Sequence, residues 1–129
     1  MQWCHGAPAI AMLLVDAYTV FKDEKYLKVA ENASEAVWQR GLLRKGLSLC
    51  HGVGGNGFVF LKLFSATKDP KYEQMAIKFC EWMWSEQGSK SMQTPDNPFS
   101  LFEGVAGAVC YLKACLNRNE AIRFPAYDL

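Results

Sequence analysis

The sequence predicts an all-α fold, built as a double layer of helices in a solenoid or toroid. Three observations predict it. First, shifted by 46 positions the sequence aligns with itself: Cys4, His5 and Gly6 fall on Cys50, His51 and Gly52. "KDEKY" (Lys22 to Tyr26) falls on "KDPKY" (Lys68 to Tyr72), Ala30 on Ala76, and Trp38 on Trp84. A weaker third copy begins at "LFEGVAG" (Leu101 to Gly107), with Glu103 in the histidine place and Gly104 in the glycine place. A period of this size marks a repeated supersecondary unit. Second, each copy reads as two helices of different character, one apolar nearly all round and one with a single apolar face. Third, a glycine motif stands where the chain enters each apolar helix.

The elements follow in order. "AIAMLLVDAYTVF" (Ala9 to Phe21) is the first apolar helix. The next is amphipathic, with Tyr26, Ala30, Ala33 and Val37 recurring at helical spacing. "FVFLKLFSA" (Phe58 to Ala66) is the second apolar helix, and Tyr72, Met75, Ala76, Phe79 and Met83 mark its amphipathic partner. Asp69 followed by Pro70 starts that partner: the carboxylate caps free amides and proline suits the first turn. Gly41 and Gly88 suit positions just past the ends of the amphipathic helices. "AVCYLKACL" (Ala108 to Leu116) is the third apolar helix. Helices apolar on every side need cover on several sides, so they form an inner layer. The amphipathic ones form an outer, solvated layer. All the glycine motifs then gather at one end of the inner layer, and a separation of 46 residues becomes closeness in space.

Composition narrows the function classes. Half of the 129 residues are apolar, enough for a packed core in one domain or part of one. Fourteen basic residues balance 13 acidic ones without a basic run, so no nucleic-acid partner is expected. "APAIAMLLV" is too short to span a bilayer and lacks the flanks of a signal peptide. Five cysteines, an odd number without small-scaffold spacing, read as reduced thiols in a cytosolic setting.

Both histidines of the chain, His5 and His51, stand inside Cys-His-Gly. Thiolate and neutral imidazole are preferred zinc ligands, so Cys4, Cys50 and His51 could surround one ion and leave a fourth position open. The competing readings are buried cysteines with histidines satisfying helix ends, and a Cys-His nucleophile, although neighbours at a helix start usually point apart. "GVGGNG" (Gly52 to Gly57) also fits the dinucleotide-loop pattern, but no strand precedes it and no acid follows at the required distance. Cys80, Cys110 and Cys115 read as core thiols, and Trp38, Trp82 and Trp84 as packing between layers. Glu103 reads as a cap on the following helix, with a role at the site as the alternative. Lys45 could reach the same end of the fold and hold an anionic substrate. A glycosidase would need two carboxylates across a cleft, and only Glu103 is suitably placed.

"WCHGAP", "WQRGLLRKG", "LCHGVGGNG", "TPDNPFSLFEGVAG" and "RFPAYDL" together resemble the carboxy-terminal part of the eukaryotic lanthionine synthetase C-like proteins, over essentially the whole chain. The resemblance implies an α/α toroid, a double-layer helical barrel of seven hairpins. Residues 1–129 would be the carboxy-terminal portion of that single domain, an incomplete ring of about three hairpins with inner-helix faces left uncovered. It implies Zn²⁺ held by Cys4, Cys50 and His51, with His5 supporting the helix start where bacterial relatives carry tyrosine. It implies glutathione as thiol substrate, added to dehydroamino acids in peptides or proteins, with Lys45 at a basic position that contacts glutathione. The second basic contact falls at Gln93, a departure from the family pattern. The acid/base histidine and aspartate belong to the upstream half of such proteins, so turnover by this portion alone is not expected. The alternative is a non-catalytic zinc-binding scaffold or interaction module with the same toroid. The resemblance places the protein in the cytoplasm and leaves room for peripheral association with the plasma membrane.

Overall fold

The computed structural model describes residues 1–90 and 97–128. Among these the fold is all-α: α1 Ala7–Phe21, α2 Glu24–Arg40, α3 Val53–Thr67, α4 Pro70–Trp84, the short α5 Glu86–Lys90, and α6 Val105–Leu116. No strand occurs among the described residues, only an isolated bridge between Gln2 and His5.

The repeat is structural as well as textual. α1 and α3 both end on a lysine in the left-handed conformation, Lys22 at φ 57° and Lys68 at φ 59°. Each donates its amide to a carbonyl four residues back, Tyr18 and Phe64, at 2.8 Å. The next residue then opens the following helix: Asp23 accepts the Lys25 amide and Asp69 the Lys71 amide, both at 2.9 Å. Left-handed backbone costs a non-glycine residue on the order of 1 kcal/mol, offset here by a closing bond and a cap worth about as much. The result is two tight antiparallel hairpins, α1–α2 and α3–α4.

The inner layer runs α1, α3, α6, with α3 in the middle and packed on both neighbours. Burial follows position. Every residue from Val53 to Phe64 is buried, whereas α1 exposes Ile10, Leu13, Val20 and Phe21, and α6 exposes Val105, Val109 and Leu116. A helix apolar all round is fully covered only when flanked on both sides, and the outer flanks of α1 and α6 have no neighbour among the described residues. This is the uncovered apolar surface expected of an incomplete ring. The third unit contributes its inner helix alone; residues 117–128 follow in turns rather than a second long helix.

Three smaller expectations change. Gly88 lies inside α5, because α4 already stops at Trp84 and Ser85 restarts the chain by accepting the Gly88 amide through its hydroxyl. Gly41 does occupy the cap of α2, but at φ −83°. Its need for glycine comes from space: a Cβ there would stand 3.1 Å from the Phe79 ring and closer still to the Val37 carbonyl. Trp38 packs between layers against Phe60 and Phe79, with ring centroids 6.0 Å away in each case, and Trp82 is partly buried on the core. Trp84, however, is 73% exposed. Of the helical cysteines, Cys115 is core, Cys80 is packed on the core's edge, and Cys110 is half-buried. No described helix is long and apolar enough to cross a membrane.

Candidate metal centre

The second Cys-His-Gly motif is placed by a loop that curls beneath the start of α3. The amides of Val53, Gly54 and Gly55 bond the carbonyls of Gly46, Leu47 and Ser48 at 3.1, 3.3 and 3.1 Å. A Cβ on Gly54 would come within 2.7 Å of the Leu47 carbonyl oxygen, and one on Gly55 within 2.7 Å of the Leu49 carbonyl carbon. The glycines are therefore required by close approach of loop to helix. Those amides already have backbone partners, so "GVGGNG" is not a phosphate cradle.

Backbone bonds then string the three units together. The Cys4 amide donates to the Cys50 carbonyl at 3.2 Å, and the Cys50 amide to the Phe102 carbonyl at 2.8 Å. This brings the Cys4 Sγ, the Cys50 Sγ and a ring nitrogen of His51 within 4.8 Å of one another. Cys4 is exposed, while Cys50 and His51 are half-buried. Burial, together with the neighbouring Cys4 thiol and the Glu103 carboxylate, pushes the Cys50 thiol up to about 11. Two sulfurs beside a carboxylate form a pocket of negative potential once ionised, which a divalent cation neutralises. Tetrahedral zinc sets its ligand atoms roughly 3.5–3.8 Å apart, from bonds of about 2.0–2.3 Å. The donor set and spacing fit that ion with at most modest side-chain movement.

Around these three side chains, Gln2 and Asn56, which no sequence motif marked, join Lys45 and His5. Gln2 donates its amide to the Cys4 sulfur at 3.3 Å, and Lys45 Nζ donates to the Gln2 Oε1 at 3.4 Å. His5 Nδ1 lies 3.2 Å from the same sulfur. The backbone of His5 and Gln2 closes a tight turn through bonds of 3.0 and 3.2 Å. His5 thus stays outside the ligand trio, braces the turn ahead of α1, and can donate to the sulfur when Nδ1 carries its proton. Asn56, fully buried in α3, donates to the Gly41 carbonyl at 2.8 Å and to that of Met1 at 3.4 Å. It ties the start of the chain, just ahead of Cys4, and the end of α2 to the inner layer.

Glu103 departs from the capping role. Gly104 caps α6 with no side-chain bond, and the Glu103 carboxylate accepts from Asn97 Nδ2 at 3.4 Å. Its charge reaches Cys50 instead. Glu103 and Lys45 also line one cavity of about 310 Å³ whose walls are mostly apolar, including Leu47, Met83, Val105 and Leu112. Gln93 lies outside the described residues.

The whole chain, residues 1–129, matches the family described as lanthionine synthetase C-like protein. It is also similar to the zebrafish (Danio rerio) protein named glutathione S-transferase LANCL1, with 43% identity over 129 residues. That alignment covers 100% of this chain and 31% of the relative, so the chain spans about a third of that protein's length.

Proposed function

The chain belongs to the lanthionine synthetase C-like family, and from that premise we propose that it forms the metal-binding part of a glutathione-dependent thiol-addition enzyme. Cys4, Cys50 and His51 hold Zn²⁺, and glutathione supplies a thiol that adds to dehydroamino acids in peptides or proteins. The observation that carries this reading is the convergence of three ligand atoms from two distant motifs within 4.8 Å. The likeness to a protein named a glutathione transferase supports the choice of thiol.

When bound, zinc supplies a site where a coordinated thiol loses its proton at neutral pH. The chain's own residues do the rest of what this portion can do. Lys45, linked through Gln2 to Cys4, puts an ammonium where a glutathione carboxylate can sit. The apolar walls of the cavity that Lys45 and Glu103 line offer a surface for the apolar parts of a bound substrate. The addition forms one C–S bond to the β-carbon of dehydroalanine. The π pair moves to the α-carbon, which takes up a proton, so a thiol and an alkene give a thioether with nothing else consumed. The groups that move the proton belong to the remaining two thirds of such a protein. All five cysteines are free thiols, which fits a reducing compartment such as the cytoplasm.

The test is formation of a glutathione adduct on a dehydroalanine peptide, followed by mass spectrometry, with the chain extended to its relatives' length. A mass gain of one glutathione that Cys50→Ala abolishes supports the proposal. Zinc and glutathione binding without any adduct would replace it with the scaffold reading.

A further inference from the structure

The inner layer carries an ion-pair cluster remote in sequence from the metal centre. Lys62 occupies in α3 the place that Asp16 occupies in α1, one repeat earlier. Its ammonium, with the side chain only 6% exposed, meets Asp16 and Asp128 at 2.6 Å each. Asp128 also bonds its own turn, its Oδ2 accepting the Phe124 amide at 2.6 Å. The amides of Tyr127 and Asp128 both return to the Phe124 carbonyl at 3.2 Å, with Ala126, just before Tyr127, in left-handed backbone at φ 66°. Residues 124–128 are thereby closed into a turn fastened to α3.

That turn grips both ligand-bearing segments. The Phe124 ring stacks on Trp3 at 5.2 Å and meets Phe58 of α3 edge-on at 5.1 Å. Tyr127 meets Trp3 at 4.8 Å and Phe102 at 6.1 Å. Trp3 is bonded to Cys4 in the chain, and the Phe102 carbonyl holds the Cys50 amide. An unbroken series of contacts therefore runs from Lys62 through Asp128 and the aromatic cluster to both cysteines.

We propose that the Lys62–Asp128 pair is a clasp that positions Cys4 and Cys50 for metal, making Asp128, Phe124 and Tyr127 positioning residues of the zinc site. This rests on the zinc reading above. Supporting groups around metal ligands are worth roughly tenfold or more in metal affinity; loss of the Asp128 charge leaves Lys62 paired with Asp16 alone and unfastens the turn from α3. Asp16 shares the Lys62 ammonium but belongs to α1, outside the turn that carries Phe124 and Tyr127, so it is the control for the clasp.

The experiment uses the full-length protein loaded with zinc, and measures zinc release to a chromophoric chelator together with the charge-transfer absorption of the cobalt(II) form. Asp128→Asn releases metal roughly tenfold faster and alters the cobalt spectrum, while far-UV circular dichroism is unchanged. Asp16→Asn releases at the wild-type rate. Should Asp128→Asn fail to fold, Tyr127→Ala serves instead: its ring is 64% exposed, so the fold tolerates the loss, and release accelerates in the same direction. Wild-type release rates in both turn variants, or equal acceleration by Asp16→Asn, would overturn the clasp and leave the zinc site standing. A wild-type protein that takes up no zinc would instead remove the metal reading and this inference together.

Discussion

Replacing Gly57 with alanine is expected to destabilise the fold by about 0.5–3.5 kcal/mol, although alanine is the better helix former by about 1 kcal/mol. Gly57 lies on the face of α3 that packs against Tyr111 of α6. A methyl there would stand 2.7 Å from Tyr111 Cε2 and nearer still to Cζ and the hydroxyl. Carbon atoms pack at about 3.5–4.0 Å, so the ring has to retreat by about 1 Å. It has little freedom to do so. Tyr111 is fully buried, its hydroxyl donates to the Ala76 carbonyl at 2.7 Å, and its ring lies 5.4 Å from that of Phe58. Overpacking costs about 1–3 kcal/mol, and a lost buried hydrogen bond about 0.5–1.5 more. Subtracting the propensity gain leaves the stated range. Urea unfolding followed by circular dichroism measures it, and a double-mutant cycle isolates the cause. In a Tyr111→Leu background the methyl has room, so Gly57→Ala should become neutral or stabilising. A stabilising Gly57→Ala in the wild-type background, or an equal cost in both, would refute close helix approach as the reason for the glycine.

Other consequences can be checked alongside. Asp69→Ala removes the cap that accepts the Lys71 amide and should cost about 1 kcal/mol in the same unfolding assay, whereas Asp69→Asn costs far less. Iodoacetamide should label exposed Cys4 readily, and zinc should protect it, with peptide mapping as the readout. Burial pushes the Cys115 thiol up to about 12 from an ordinary 9.0, and its 5% exposure keeps it from iodoacetamide under conditions that label Cys4. The folded state holds that proton more tightly than the unfolded one. The stability it contributes is present in full below pH 9 and is lost as pH climbs towards 12. Lys45→Ala should weaken glutathione binding by roughly tenfold, the value of about 1.4 kcal/mol expected for one charge-assisted contact, while zinc content by metal analysis stays unchanged.

Much of the architecture was legible because it is written locally and twice. The repeated KDEKY and KDPKY and the Asp69–Pro70 start are short local signals, and the alternation of all-round apolar and one-faced helices needs only a window of two turns; the left-handed lysines that close α1 and α3 were not read. The convergence of Cys4, Cys50 and His51 was legible for the same reason: a duplicated motif at a fixed place in a repeat converts sequence distance into contact. What stayed hidden depends on which distant backbone or charge comes near. The glycines of "GVGGNG" look alike whether they accommodate a phosphate or a loop, and only the placement of residues 46–49 decides. Glu103 precedes a helix in sequence, yet its carboxylate turns towards Asn97 and Cys50 because Gly104 takes the capping position. Gln2 and Asn56 belong to no motif, and their partners lie on other segments. Lys62 could have been read: opposite charges at the same repeat position of adjacent inner helices are neighbours by construction.

X-ray absorption at the zinc edge of the metal-loaded full-length protein tests the central claim most directly. The predicted result is one zinc per chain with two sulfur ligands at about 2.3 Å, one imidazole nitrogen at about 2.0–2.1 Å and one further light atom. One sulfur should disappear in Cys4→Ala and likewise in Cys50→Ala. A zinc shell without sulfur, or one that both substitutions leave intact, would contradict it.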